Sequence, residues 1–247
     1  MNYIDDLYKE LIQDVLDNGE LRETRNGNTL SLFGTNLSFD MEKIGLPLLS
    51  LRRIFTKGIV GEFRGFLADA KSVAEYEALG CPYWELWGDK DGLINLDYPP
   101  REQLDIVIES IKNDPMSRRH IINLWDHTHL NDLSLLCCHF NYQFYVRNGR
   151  LDMIWTQRSV DVAIGLPSDC ILAALYVKHI ADATGLDVGR ITMNFGDTHI
   201  YEEHIEDLTD MIKTPSVTKF LPWTFDGESL TYTDYKPKKS IKFLLKP

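Results

Sequence analysis

The stretch that decides the fold is a hairpin, which reads CHFNYQFYVRNGRLDMIWT over residues 138–156. Residues 138–146 and 151–156 are rich in side chains that favour strands. Arg147-Asn148-Gly149-Arg150 lies between them, and Asn-Gly is the strongest short signal for a tight hairpin turn. We therefore predict two adjacent antiparallel strands here, within a strand-rich region that begins near His120.

Further strands are predicted on both sides of this hairpin. Residues 121–125 and 191–195 each indicate one strand. Short alternating runs at 29–33 and 37–39 predict a second hairpin, which turns at Gly34-Thr35-Asn36.

Apolar residues at helical spacing predict the helices. The segment at 171–183 is apolar around most of its circumference, so we place it at the centre of the molecule. The other predicted helices span 4–16 before Asn18-Gly19, 54–66, 104–111 before Asn113-Asp114-Pro115, and 198 to about 212. The fold class is therefore α+β, a single domain over residues 1–247 with a mostly antiparallel or mixed sheet covered by helices.

Composition excludes several classes of function. The 26 Lys and Arg residues against 37 Asp and Glu residues give a net charge of −11, which disfavours broad binding to nucleic acid polymers or anionic membranes. The opening residues lack the pattern of a signal peptide, and no run of 18 apolar residues occurs, so we expect a cytoplasmic protein. Four cysteines without paired CxxC spacing predict free thiols and no metal site.

Cys138 begins a predicted strand, and Arg158 follows the strand that pairs with it. A free cysteine is often only a small buried hydrophobic residue. A nucleophilic cysteine needs a cation or a helix end nearby to stabilise its thiolate. Hairpin pairing would bring the Arg158 guanidinium close to Cys138, where it would lower the pKa of the thiol and hold an anion. The pattern alone leaves both interpretations open.

Three further clusters suggest a ligand. Arginines in or beside turns suit a phosphate or carboxylate, although adjacent arginines often form only a solvated surface. His199 and Tyr201 either pack a strand-to-helix junction or recognise sugar hydroxyls. Trp84 and Trp87 lie in a predicted loop, where stacking on a flat heterocycle explains two such large side chains. The arginines are Arg25, Arg52, Arg53, Arg118, Arg119 and Arg158.

In their order along the chain, these motifs resemble those of the thymidylate synthase family, including its nucleotide hydroxymethylase branch. The motifs are Arg25-Asn26-Gly27-Asn28-Thr29, Glu62, Trp84 to Trp87, Asp114 to Arg119, Cys138-His139 with Gln143, Gln157 to Val162, Gly165-Leu166-Pro167 and Gly196 to Tyr201. The resemblance implies an α+β homodimer whose sheets pack against each other and whose active sites are shared between subunits.

The resemblance also implies a pyrimidine nucleotide 5′-monophosphate as substrate and 5,10-methylenetetrahydrofolate as one-carbon donor. Cys138 would add to C6 of the pyrimidine, and Glu62 would organise water and proton transfers at the ring. Substrate-binding residues would be Arg25, Gln157, Arg158 and Ser159 with Arg118 and Arg119 of the partner subunit, and His199 and Tyr201 at the sugar. Folate-binding residues would be Trp84, Trp87 and Asp161, with Arg52 at the glutamate tail and the segment 244–247 closing over the ligands.

Asp169 departs from the family pattern, because thymidylate synthases have asparagine at this position. An amide accepts from uracil N3–H and donates to O4, whereas an ionised carboxylate cannot donate. The exocyclic amine of cytosine donates to a carboxylate, and a protonated Asp169 can donate to N3, as the resemblance to deoxycytidylate hydroxymethylases implies. The other interpretation is that Asp169 only caps the following helix.

Three functions follow from these residues. The first is hydroxymethylation of dCMP at C5. The second is methyl transfer on the same scaffold, with dCMP or dUMP as substrate. The third is a catalytically silent relative that binds a nucleotide or RNA, which the intact set of Cys138, arginines and Asp161 disfavours.

Overall fold

The computed structural model describes residues 4–216, 220–238 and 240–246. Within them a sheet has the strand order β1-β2-β6-β5-β4-β3, and every neighbouring pair is antiparallel except β5 and β6. The strands are β1 (Glu20–Thr24), β2 (Gly27–Asp40), β3 (Ile121–Asn123), β4 (His139–Arg147), β5 (Arg150–Asp161) and β6 (Asp187–Tyr201). Strands β7 (Trp223–Phe225) and β8 (Leu230–Tyr232) pair as a separate ribbon. The predicted mixed sheet is confirmed.

The helices lie largely where periodicity predicts them. They are α1 (Ile4–Asn18), α2 (Met41–Ile44), α3 (Thr56–Leu67), α4 (Val73–Ala78), α5 (Glu102–Asn113), α6 (Gly165–Thr184) and α7 (Ile205–Ile212). Short 3₁₀ turns occur at Tyr83–Trp87, Leu130–Asp132 and Glu202–His204. Across the described ranges, a helix with the length and apolarity needed to cross a bilayer is not found.

Helix α6 is central, as its apolar circumference predicts. It packs on one face of the sheet, where Trp155, Tyr142 and Tyr176 are fully buried. The rings of Tyr142 and Trp155 stack with centroids 4.5 Å apart, and Tyr176 of α6 lies 5.3 Å from Tyr142. Because this aromatic cluster fixes α6 against β4 and β5, the start of α6 is held beside the end of β5.

The predicted hairpin around Gly34-Thr35-Asn36 is wrong. Strand β2 continues through these residues and pairs with β6 on both sides of Gly34, at Phe33 with Asp197 and at Thr35 with Phe195. Gly34 has φ +83°, so glycine absorbs a local irregularity without reversing the chain. The actual turn lies one strand earlier, between β1 and β2, and it carries Arg25.

The predicted helix from residue 198 is wrong at its beginning. Strand β6 continues to Tyr201, and α7 begins only at Ile205. All of residues 198–201 pair with β2, as Tyr201 does with Thr29, and 198 and 199 also pair with β5, as His199 does with Asp161. Tertiary pairing therefore overrides the local pattern, and it places His199 in the sheet beside the end of β5.

Candidate active site

A cavity of about 980 Å³ opens where β5 and β6 end and α6 begins. Its walls come from the β1–β2 turn, α3, the Tyr83–Trp87 turn, the start of β4 and the C-terminal segment. The predicted site residues that line it are Arg25, Arg52, Glu62, Trp84, Trp87, Cys138, Gln157, Arg158, Ser159, Asp161, Asp169, His199 and Tyr201. A cavity of this volume is in the range of small-molecule sites in proteins.

Cys138 lies directly before β4 and is held by Arg158 from β5. The backbone N–H of Arg158 donates to the Cys138 carbonyl oxygen at 2.8 Å. Its guanidinium donates to the carbonyl oxygens of Cys137 and Leu136 at 3.0 and 2.8 Å, and Nη2 lies 3.7 Å from Cys138 Sγ. The structure therefore brings the predicted thiol and guanidinium together.

Tyr98 is a site residue that sequence reasoning missed. Its hydroxyl accepts a hydrogen bond from the Cys138 backbone N–H at 2.8 Å, and the side chain is buried. Burial raises the pKa of Tyr98 well above its usual value, so the hydroxyl keeps its proton. Tyr98 lies far from Cys138 in the chain and before two prolines, where no local pattern indicates this contact.

Burial raises the pKa of the Cys138 thiol. The charge of Arg158 and a hydrogen bond with the Tyr98 hydroxyl act to lower this pKa. The predicted effect of the guanidinium is therefore present, but burial outweighs it in the single chain. Cys81, Cys137 and Cys170 are buried.

Two carboxyl groups face the same cavity. Burial, and then the charge of Asp169, raises the pKa of Glu62 to about 8, with Trp84 acting against the increase. Burial also raises the pKa of Asp169 to about 7, while a hydrogen bond from Gln157 opposes it. Near neutral pH Glu62 is therefore mainly protonated, and Asp169 is divided between its acidic and ionised forms. Perturbed carboxyl groups in a cleft are typical of proton-transfer chemistry.

Asp169 is not a helix cap. Helix α6 begins at Gly165, so Asp169 lies inside its first turns, and its Oδ2 accepts from Gln157 Nε2 at 2.8 Å. Asp161 instead accepts from the backbone N–H groups of Ala163 and Ile164, at 2.8 and 3.3 Å. The capping interpretation of Asp169 is wrong, because another aspartate organises the entry into the helix.

His199 lies in a cluster of polar side chains at the end of β6. Its Nδ1 lies 2.8 Å from Asp197 Oδ2, and the same oxygen accepts from Ser159 Oγ at 3.2 Å. Burial acts to raise the pKa of Asp197, but hydrogen bonds from His199 and Ser31 hold it below its usual value. The ionised Asp197 therefore orients His199, whose ring packs edge-on against Tyr201 with centroids 5.2 Å apart.

The opposite wall is aromatic. Trp84 is buried against the rings of Phe66 and Trp87, so it is largely part of the core, whereas Trp87 is only half-buried. Arg52 Nη2 donates to the Ala163 carbonyl oxygen at 2.6 Å, and its guanidinium lies 5.2 Å from the ring centroid of Phe243.

The C-terminal segment lines the cavity between residues 240 and 246. Lys246 pairs with Glu203, and Phe243 packs on His204 with ring centroids 4.9 Å apart. Of the predicted closing segment, 244–246 is described, and Pro247 lies outside the described residues.

Arg118 and Arg119 stay outside this cavity in the described part of the chain. Both are exposed in the segment before β3, where the Arg118 carbonyl oxygen accepts from Gln143 at 3.3 Å. The structure of one chain therefore does not bring them to Cys138.

The cavity therefore combines a thiol held by a guanidinium, two carboxyl groups with raised pKa values and the Asp197–His199 pair, which are the kinds of groups that covalent chemistry on a small polar substrate uses. The chain belongs to the thymidylate synthase family, because the family model described as thymidylate synthase matches residues 6–245. The family carries out folate-dependent transfer of a one-carbon unit to C5 of a pyrimidine nucleotide monophosphate, with methylenetetrahydrofolate as co-substrate.

Proposed function

We propose that this protein converts dCMP to 5-hydroxymethyl-dCMP with 5,10-methylenetetrahydrofolate as one-carbon donor. The observation that carries this proposal is Asp169, a carboxyl group that lines the cavity with Cys138 and is oriented by Gln157. Its position on the rigid helix α6 suits a residue that reads the edge of a base.

Cytosine matches both protonation states of Asp169. The ionised carboxylate accepts from the exocyclic amine, and the protonated form also donates to N3. In uracil O4 is an acceptor, so an ionised Asp169 carboxylate would face it with no hydrogen between the two oxygens. This mismatch weakens binding by about 1 to 3 kcal/mol. A pKa of about 7 means that a large fraction of Asp169 is ionised at neutral pH, which favours dCMP.

In the proposed reaction the Cys138 thiol forms a bond to C6 of the pyrimidine, and its proton passes to a base in the site. The electron pair displaced from the C5–C6 bond makes C5 nucleophilic, so that C5 can bond to the one-carbon unit. Glu62 lines the same cavity and has a raised pKa, which suits a group that donates and accepts protons at the ring. Loss of the C5 proton and release of the carrier leave an exocyclic methylene, which water attacks as the Cys138 sulfur departs from C6.

The cavity also has groups that fit a folate. The exposed part of Trp87 offers a flat apolar surface, and Arg52 offers a cation in the same cavity. Asp161 uses Oδ1 for both of its backbone hydrogen bonds, which leaves its second oxygen available to accept from a pterin. When bound, methylenetetrahydrofolate would supply carbon at the oxidation level of formaldehyde, and tetrahydrofolate would leave.

We also propose a homodimer in which Arg118 and Arg119 of the partner subunit complete the phosphate site. Ile121, Tyr145 and Ile154 are exposed on the sheet face away from α6, on the neighbouring strands β3, β4 and β5, where Ile121 and Ile154 both lie opposite Gln143. Exposed apolar side chains on a sheet face suit association with a second copy.

Mixing inactive variants tests the shared site. Chains with Arg118→Ala and chains with Cys138→Ser are expected to regain activity when mixed and refolded, because one site of each heterodimer is then intact. Statistical mixing of a symmetric dimer predicts about one quarter of wild-type activity. Mixing Arg118→Ala with Arg119→Ala is the matched control, since neither site is then complete. Equal activity in the two mixtures would exclude the shared site.

A 5-fluorinated nucleotide tests whether the site is catalytic. Fluorine at C5 cannot leave as a proton does, so the adduct on Cys138 should persist when 5-fluoro-dCMP and methylenetetrahydrofolate are added together. Intact mass should give a complex with both ligands, and peptide mapping should place it on Cys138. A protein that binds the nucleotide without forming an adduct would be the silent relative.

A further inference from the structure

Outside the cavity, Asp97 and His129 form a hydrogen-bonded pair. His129 Nε2 lies 3.1 Å from Asp97 Oδ1. Asp97 is 5% exposed, whereas the side chain of His129 is 37% exposed and can exchange protons with solvent. Asp97 directly precedes Tyr98, whose hydroxyl contacts Cys138.

The pair lies within a set of hydrogen bonds that join the 95–98 segment to the loop before Cys138. Asn95 and Ser134 exchange two hydrogen bonds, of 2.9 Å between Ser134 N and the Asn95 carbonyl oxygen and 3.1 Å between Asn95 N and Ser134 Oγ. Asn95 Nδ2 donates to the Asp132 carbonyl oxygen at 2.9 Å. Asp97 and His129 add a link at the start of this loop, and Tyr98 contacts Cys138 at its end.

A positively charged partner stabilises the buried carboxylate of Asp97. Its Oδ2 is buried and has no hydrogen-bond partner among the described residues. Burial, and then the negative charge of Asp97, raises the pKa of Cys137 to about 12, so the carboxylate lies near the residue that precedes Cys138. A buried carboxylate with one unpaired oxygen depends strongly on its remaining charged partner.

His129 titrates in response to its acidic neighbours. The hydrogen bond to Asp97 raises the pKa of His129; desolvation opposes this, and the charges of Asp97, Asp126 and Asp132 add to the increase. A raised pKa means that the protonated pair stabilises the fold below the usual histidine pKa, and that this contribution is lost as pH rises through the raised value.

We propose that the Asp97–His129 pair positions the nucleophile: protonated His129 holds Asp97, and Asp97 holds Tyr98 against Cys138. When His129 releases its proton to solvent, Asp97 faces a neutral ring and the 95–98 segment loosens. The hydroxyl of Tyr98 then contributes less to stabilising the Cys138 thiolate. The inference rests on the proposed function only in taking Cys138 as the nucleophile.

Alkylation of Cys138 by iodoacetamide tests the pair without requiring turnover. Cys138 lines the cavity, whereas the other cysteines are buried, so intact mass with peptide mapping follows its rate. At about pH 6, His129→Leu is expected to react about tenfold more slowly than wild type, because a charged hydrogen bond is lost. The two rates should converge as pH rises above the pKa of His129. His129→Gln keeps a neutral donor to Asp97 but cannot titrate, so at about pH 6 its rate should lie between those of His129→Leu and wild type, and its profile should lack the histidine-linked inflection.

His127→Gln is the matched control, because it changes an exposed histidine of the same loop and should leave the wild-type profile intact. If His129→Leu does not fold, Asp97→Asn replaces it and should move the histidine-linked inflection to lower pH. A constant ratio of rates for wild type and His129→Leu at every pH, or an unmoved inflection in Asp97→Asn, would overturn the inference. Neither result depends on whether the nucleotide adduct forms.

Discussion

Cys138→Ser is expected to lower turnover by about four orders of magnitude, because a serine hydroxyl is a far weaker nucleophile than a thiolate. Binding of dCMP should persist, since Arg25, His199 and Tyr201 are unchanged. Product formation by chromatography and nucleotide affinity by calorimetry measure the two effects separately. The adduct with 5-fluoro-dCMP should disappear in the same variant.

Cys137→Ala is the matched control for this prediction. Cys137 is adjacent in sequence but buried, and it does not line the described cavity. The variant should therefore keep most of the wild-type turnover. A Cys138→Ser enzyme within tenfold of wild type would exclude covalent catalysis by this thiol.

Asp169→Asn should reverse the base preference. The amide can accept from uracil N3–H and donate to O4. Its oxygen keeps the hydrogen bond from Gln157 Nε2, so its NH2 group faces the exocyclic amine of cytosine, donor against donor. Because one mismatched buried polar group costs about 1 to 3 kcal/mol, the ratio of kcat/KM for dCMP over dUMP should fall by about a hundredfold. Competition between the two nucleotides, followed by mass spectrometry, gives this ratio directly.

Asp169 should also make the preference for dCMP over dUMP depend on pH. Protonated Asp169 can pair with uracil as an amide does, whereas the ionised form cannot donate to O4. The preference of wild type for dCMP in binding should therefore increase as pH rises through about 7, and Asp169→Asn should lose this increase. Asp182→Asn is the control, because it makes the same chemical change at an exposed ion pair on the same helix. If Asp169→Asn keeps the pH-dependent increase in dCMP preference, or if Asp182→Asn loses it as well, Asp169 does not read the base.

The sequence predicts the fold well where a local pattern determines it. Asn148 and Gly149 both adopt positive φ, +53° and +74°, which these two residue types tolerate in a tight turn. The apolar circumference of α6 likewise predicts its central position. The end of β6 is different, because residues 198–201 become a strand only through pairing with β2 and β5.

In the candidate site, likewise, the sequence predicts some contacts and not others. Cys138 and Arg158 belong to paired strands, so a hairpin argument brings them together. Tyr98 reaches Cys138 from a loop that no periodicity relates to it, and Asp97 directly precedes Tyr98 in that loop. The raised pKa of the Cys138 thiol was also beyond sequence reasoning, because burial, rather than the neighbouring guanidinium, decides its direction.

The most direct test of the central claim identifies both products after incubation with methylenetetrahydrofolate and either dCMP or dUMP. We predict that dCMP gains one CH2O unit and that the folate leaves as tetrahydrofolate, with dUMP a poor substrate. Gain of a CH2 unit with release of dihydrofolate, or turnover of dUMP in preference to dCMP, would contradict the account.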